Sequence, residues 1–127
     1  MPKILIVEDE PELLQVLSDT LKQEEFKVIE AKNGVEGLEA ILNSKPDLIL
    51  LDILMPVMDG IAMLKEIKIN EAFKNIPVIV LTNYSDTQKI AEAMELGAYG
   101  YLIKINLKNN DLVKNVRNAL LTNNIKQ

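Results

Sequence analysis

The chain contains no cysteine and no histidine among its 127 residues. Disulfides, thiol nucleophiles, Cys/His metal centres and Ser-His-Asp triads are therefore excluded, and any chemistry must use carboxylates, hydroxyls, amines or backbone. No apolar run approaches the roughly 20 residues that a membrane span needs. Met1-Pro2-Lys3 leads straight into a strand-like run rather than a signal peptide, so a cytoplasmic protein without membrane contact is expected. Basic excess is lacking too: 14 Lys and Arg stand against 19 Asp and Glu, a formal charge of -5. That balance disfavours direct nucleic-acid contact, which depends on clustered Lys and Arg neutralising phosphates.

Hydrophobic residues supply 48% of the chain and charged residues 26%, an ordinary globular balance over a length that suits one core. No repeat, low-complexity tract or linker divides it, so residues 1–127 are expected to form one domain. Ile4-Leu5-Ile6-Val7 is apolar on both faces, as a central parallel strand covered by helices would be, and ends at Glu8-Asp9. Pro11 suits the first turn of a helix, with Asp9 or Glu10 near its cap and Leu14, Leu17 and Leu21 at helical spacing. Phe26 to Ala31 reads as a strand with interleaved charges, suited to a sheet edge. Asn33-Gly34 opens a second helix carrying Val35, Leu38, Ile41 and Leu42, which closes before Pro46 because the residue preceding proline avoids helical geometry. Leu48 to Leu51 forms a third strand ending at Asp52, followed by a loop to Gly60 and a helix marked by Ile61, Leu64 and Ile67. Pro77 precedes a fourth strand, Val78 to Leu81, which ends at Thr82. Ser85 or Asp86 suits the cap of a helix bearing Ile90, Ala93 and Met94, with Gly97 as its left-handed stop. Tyr99 to Ile103 is a fifth strand ending at Lys104, and a last helix runs from about Leu107 or Lys108 to Leu121 with Leu112, Val116 and Leu120 in register.

Five alternations of strand and helix predict an α/β fold, with right-handed crossovers placing helices on both faces of a parallel sheet. With five strands and no GxGxxG after the first, the flavodoxin-like (βα)5 doubly wound sheet of strand order 2-1-3-4-5 is preferred over a Rossmann-type half. Ligands then bind beyond the carboxyl ends of the strands, where the order reverses. Glu8-Asp9, Asp52, Thr82 and Lys104 stand at those ends, each after an apolar run. Neighbouring strands about 4.8 Å apart put the acid pair on one side of Asp52 and Thr82 on the other, while Lys104 starts about 10 Å away, a gap that only a long amine crosses.

Three carboxylates in one place repel one another, so the empty cleft should be strained. A hard divalent cation relieves the strain, and an oxygen-only ligand set favours Mg²⁺, with Mn²⁺ as the alternative, over zinc. Asp52 can then attack phosphorus in line while Lys104 and Thr82 bind the equatorial oxygens, giving an aspartyl phosphate. Such chemistry requires the strand tips to converge and the Asp52 carboxylate to be within reach of solvent.

Over nearly its whole length the sequence resembles the response-regulator receiver family of bacterial two-component systems. The matching pieces are the runs from Ile4 to Glu10, Pro46 to Gly60, Pro77 to Thr82, Gly97-Ala98 and Tyr101 to Lys104, and the D-x-x-M-P-x-x-D-G core from Asp52 to Gly60 is the most specific of them. The resemblance implies a signalling switch that catalyses only its own phosphorylation and dephosphorylation, taking a phosphoryl group onto Asp52 from a sensor histidine kinase or a histidine phosphotransfer protein. It implies that Glu8, Asp9, Asp52 and the Leu54 carbonyl hold the metal, that Thr82 and Lys104 contact phosphate, and that Thr82 and Tyr101 form the switch. The face made by helix four, strand five and helix five would then engage a downstream protein, a missing output domain, or a second copy in a phosphorylation-dependent homodimer.

Three features depart from the family pattern. Ile105 follows Lys104 where proline is usual; a cis bond to another residue costs about 2.5 to 4 kcal/mol, so a trans bond is expected there, with Lys104 placed differently. Asn83 and Tyr84 follow Thr82 where a small residue is usual, which narrows the cleft, and an apolar Leu54 cannot orient an attacking water, which predicts a long-lived phosphorylated state. Taken singly, Asp9 reads equally well as a helix cap, Asp52 and Asp59-Gly60 as turn chemistry, Thr82 and Lys104 as solvated surface and Tyr101 as core; the joint placement of Glu8-Asp9, Asp52, Thr82 and Lys104 at the ends of different strands favours the functional reading. A haloacid-dehalogenase-type phosphatase needs a second aspartate where Leu54 stands, and a flavodoxin needs a Ser/Thr/Gly-rich loop after strand one. A phosphorylation-independent pseudo-receiver, acting only as a protein-binding module, is the remaining alternative.

Overall fold

The computed structural model describes residues 2–55, 58–83, 87–105 and 107–126, with side chains up to 122. In chain order the elements are β1 (Lys3–Val7), α1 (Pro11–Gln23), β2 (Lys27–Ala31), α2 (Gly34–Ser44), β3 (Leu48–Asp52), α3 (Gly60–Ile69), β4 (Val78–Thr82), α4 (Thr87–Glu95), β5 (Gly100–Ile103) and α5 (Asn109–Lys126). The strands form one parallel sheet in the order β2-β1-β3-β4-β5, the flavodoxin-like arrangement expected from the alternation. Among the described residues, no helix is long and apolar enough to cross a membrane.

Alternation along each strand divides the interior into two cores. Leu5, Val7, Ile49, Leu51, Val78 and Val80 face α2 and α3, and Ile4, Ile6, Leu48, Leu50, Ile79 and Leu81 face α1 and α5. Continuous apolar sequence at β1, β3 and β4 is thus the price of covering both faces of the sheet. The charged edge strand is β2, as its interleaved polarity suggested. It begins at Lys27; Phe26 instead closes the turn after α1, its N–H donating to the Leu21 carbonyl while its ring packs in the α1/α5 core. Strand β5 begins at Gly100 rather than Tyr99, and α5 continues past Leu121 to Lys126, shifts of boundary where elements commonly fray.

Helix ends follow local chemistry. Asn33 caps α2 by accepting from the Glu36 N–H at 2.9 Å, and Asp59 caps α3 by accepting from the Ala62 N–H at 2.8 Å. Gly97 has φ +104°, the left-handed stop expected after α4. The cap candidates Ser85 and Asp86 lie outside the described residues. Helix α1 begins with Glu10 at its cap position, without a side-chain capping bond, so Asp9 does not serve as the cap.

The inward face of α2 differs from the hydropathy pattern. Val35 and Leu42 are exposed, as is Met94 on α4, and α2 meets the interior through Gly34, Gly37 and Ile41, with Leu38 partly buried against the same core. The reason is close packing against α3 and its preceding loop: a Cβ on Gly37 would lie 2.7 Å from Met63 Cε, and one on Gly34 would lie 2.8 Å from Met58 Cγ. Methionine side chains occupy the space that a larger stripe on α2 would need.

Candidate functional site

The carboxyl ends of β1, β3, β4 and β5 converge as the topology requires. Val7 pairs in register with Leu51, Asp52 with Leu81, and Thr82 with Ile103, so the residues at the tips lie in one row. Backbone bonds continue the ladder beyond the tips: the Ile53 N–H donates to the Leu81 carbonyl at 3.1 Å and the Lys104 N–H to the Thr82 carbonyl at 2.8 Å. Carboxylate oxygens of Glu8, Asp9 and Asp52 lie within 4.8 Å of one another. The loop after Asp52 folds tightly onto the start of α3, the Gly60 N–H donating to the Ile53 carbonyl at 2.8 Å. A Cβ at Gly60 would lie 2.1 Å from the Asp52 carbonyl oxygen, so only glycine permits this approach.

Lys104 crosses from β5 to the acid group. Its Nζ stands 2.9 Å from Asp52 Oδ2, 3.3 Å from Glu8 Oε1 and 3.3 Å from Glu10 Oε1. No peptide bond among the described residues is cis, so the lysine makes this reach with a trans bond to Ile105. The trans bond is the one expected where Ile105 replaces the usual proline, and with it the four-carbon stem of Lys104 spans the gap to Asp52.

One correction concerns access. Asp52 was expected to be open to solvent, yet its side chain is only 2% exposed and Glu8 is fully buried. The cover is polar: Lys104, itself largely buried, lies over the carboxylate among the acidic side chains rather than leaving it in either apolar core. Glu8 Oε2 accepts from the Glu10 N–H at 3.0 Å, and Asp52 Oδ1 accepts from the Leu54 N–H at 3.3 Å. The remaining oxygens, Glu8 Oε1 and Asp52 Oδ2, are buried with no hydrogen-bond partner, since Lys104 meets them at ion-pair distance but out of line.

Burial pushes the Glu8 carboxyl up to about 7; the Glu10 N–H opposes the rise, the Asp52 charge adds to it, and Lys104 opposes it. Asp52 is raised as well, burial outweighing the Lys104 ammonium. Burial would lower Lys104, but Asp52 and Glu8 more than offset it, so its ammonium is held more firmly than usual. The strain in the acid group thus comes first from lost hydration and only then from mutual repulsion. Orphaned, buried carboxylate oxygens with no nitrogen or sulfur ligand beside them fit a hard divalent cation.

Thr82 is buried beside this group, and its hydroxyl donates to the Asn83 carbonyl at 3.3 Å. Leu54 is exposed at the mouth of the cleft and Tyr101 is 48% exposed, so its ring lies outside the core. Pro56 and Val57 of the motif, and Tyr84, lie outside the described residues. Glu10 was expected only near a helix cap, yet its carboxylate joins the cluster through Lys104. The only sequence trace of this is that Glu10 continues the acidic run Glu8-Asp9.

Comparison with known proteins gives a consistent neighbourhood. A family model described as the response regulator receiver domain matches residues 4–117. Sporulation initiation phosphotransferase F of Bacillus subtilis is 38% identical over 102 residues, covering 80% of this chain and 81% of that protein. Regulatory protein AtoC of Escherichia coli is 39% identical over 102 residues, covering 80% of this chain but 22% of its own length. Among solved structures, a response regulator receiver domain protein from Clostridium thermocellum superposes with TM-score 0.92 at 29% identity, each chain covered fully. The signal receiver domain of a histidine kinase from Syntrophus aciditrophicus gives 0.88 at 34% identity, covering 96% of this chain and 92% of that one.

Proposed function

Because the chain belongs to the response-regulator receiver family of two-component signal transduction, we propose that residues 1–127 are one receiver domain that accepts a phosphoryl group on Asp52. The observation that carries this reading is the meeting of Glu8, Asp9 and Asp52 oxygens within 4.8 Å, with Lys104 Nζ 2.9 Å from Asp52. In the reaction, an Asp52 oxygen forms a bond to phosphorus as the bond from phosphorus to the donor's imidazole nitrogen breaks. Lys104 leaves the carboxylate oxygen and follows the charge onto the phosphoryl oxygens, where the Thr82 hydroxyl also donates. Glu8, Asp9, Asp52 and the Leu54 carbonyl would hold Mg²⁺ or Mn²⁺. Such a cation, when bound, offsets the negative charge of the phosphoryl group and of the carboxylates.

The donor on this reading is a sensor histidine kinase or a phosphotransfer protein, and the domain works in the cytoplasm without membrane contact. Phosphorylation adds charge and acceptor oxygens that draw Thr82 inward, Tyr101 turns into the space left, and the α4–β5–α5 face changes for a protein target, an output domain or a second copy. The acidic balance disfavours nucleic acid as a direct partner of this domain. With Leu54 unable to orient water, the phosphoryl group is expected to persist for minutes or longer once the donor is removed. Hydrolysis within seconds would contradict that.

The test is incubation with acetyl phosphate and Mg²⁺ read by intact mass, in which the unaltered protein gains one phosphoryl adduct and Asp52→Asn gains none. The burial of Asp52 beneath Lys104 favours one second reading, a pseudo-receiver that binds partners without phosphorylation. Beryllofluoride with Mg²⁺ distinguishes the two, since a true acceptor shifts its α4–β5 amide resonances and a pseudo-receiver does not.

A further inference from the structure

Lys104 has three N–H bonds and three carboxylates around it, but they are not equivalent. Glu8 Oε1 and Asp52 Oδ2 are buried and lack an aligned donor, whereas Glu10 Oε1 accepts a hydrogen bond from Nζ at 3.3 Å. Glu10 is also the solvent-exposed member, its side chain 64% exposed against 0% for Glu8 and 2% for Asp52. It stands outside the group whose oxygens can meet one cation, which is Glu8, Asp9 and Asp52. Nor does its side chain cap α1. Its carboxylate pairs with Lys104.

An ammonium flanked by Glu8 and Asp52 alone would turn its N–H bonds onto their open lone pairs, since a charge-assisted bond in a desolvated site is strong. A divalent cation held by Glu8, Asp9 and Asp52 would compete with the ammonium for oxygens of the same carboxylates. A third carboxylate on the solvent side, Glu10 Oε1 at 3.3 Å, takes one of the N–H bonds while Nζ stays 2.9 Å from Asp52 Oδ2.

We infer that Glu10 is a positioning residue: it shares the Lys104 ammonium with Asp52 and Glu8, so that the lysine yields the inner oxygens to a divalent cation while staying tethered beside the cleft. The role rests on the metal-dependent reading given above and extends it to a residue outside the ligand group. Once the cation is in place, the same tether keeps Lys104 close to where the phosphoryl oxygens arrive, so the lysine need not be recruited from bulk solvent.

Glu10 also adds negative charge near the cleft, which would favour any cation without positioning anything, and a double-mutant cycle separates the two effects. Mg²⁺ is titrated, with no phosphoryl donor present, into the unaltered protein, Glu10→Ala, Lys104→Met and the double variant, and affinity is read from backbone amide shifts. If Glu10 acts through Lys104, Glu10→Ala weakens Mg²⁺ binding about fivefold when Lys104 is present and less than twofold when it is methionine. Equal factors in the two backgrounds would overturn the proposal and leave a plain charge effect. Glu10→Gln keeps an acceptor at the same reach and should retain more affinity than Glu10→Ala; identical losses would likewise count against positioning. In the metal-free protein the Lys104 ammonium resonance should move on Glu10→Ala, and an unmoved signal overturns the contact itself. An unaltered protein that shows no Mg²⁺ response at all would sink the metal reading, and this one with it.

Discussion

Strands β1 and β3 and strand β5 each contribute to the same cluster, yet they are anchored very differently. Every residue of β3 is buried, and β1 is buried from Ile4 to Val7, whereas β5 buries Leu102 alone and α4 buries Ala93 alone. The acids thus stand on strands that come apart only with the whole domain. The lysine and Tyr101 stand on a rim held by few apolar contacts, the kind of region that opens at low cost. On the switch reading proposed above, the first would be the fixed place for chemistry and the second the lightly held place that registers it.

The widest gap should appear on truncating a side chain in each half. Leu50→Ala, in the central strand, is expected to lose about 3 to 5 kcal/mol of unfolding free energy in urea, a core cavity that neighbours cannot fill. A loss under about 1 kcal/mol would mean that β3 is no better anchored than the rim. Next comes pH. The Glu8 carboxyl is raised from 4.5 to about 7 by burial, so between those values the folded state holds a proton that the unfolded state releases. Its contribution is therefore full below pH 4.5 and lost as pH rises through 7, on the order of 3 kcal/mol, and Asp52 shifts in the same direction. Metal-free protein should melt at a lower temperature at pH 8 than at pH 5 as far as this group is concerned, and Glu8→Gln should flatten that slope; an unchanged slope would break the link between strain and the rigid half.

Smaller effects belong to the rim. Gly97→Ala forces an L side chain to φ +104° and should cost about 1 kcal/mol, measured as a lower urea midpoint. Met94→Ala, at an exposed position, should stay within about 0.5 kcal/mol of the unaltered protein. Hydrogen exchange sharpens the contrast without mutation: amides of α4 and β5 should exchange well before those of Leu48 to Leu51, and equal protection would erase the distinction between the halves.

Much of this organisation was legible in the residues themselves. Apolar runs marked β1, β3 and β4 because burial on both faces leaves no room for polar alternation, and each run ended in a polar residue that the sheet brings to one row. The face of α2 was not legible, because Gly34 and Gly37 carry no hydropathic signal and their role depends on where Met58 and Met63 lie. Nor was the cover over Asp52, since it depends on the rotamer of a lysine 52 positions downstream. For the same reason Glu10 looked like a helix-start residue: its partner is distant in sequence, and adjacency to an acid pair does not say which neighbour will reach for it.

Glu8, Asp52 and Thr82 project from the last rungs of a ladder or the residue just beyond, and the Lys104 backbone is pinned to Thr82. Their spacing is consequently inherited from sheet geometry rather than from the turns that follow. The turns on this edge can change in sequence without moving the backbone that carries Glu8, Asp52 and Thr82. A designer seeking new wiring for this domain would graft the connections and leave the rungs alone.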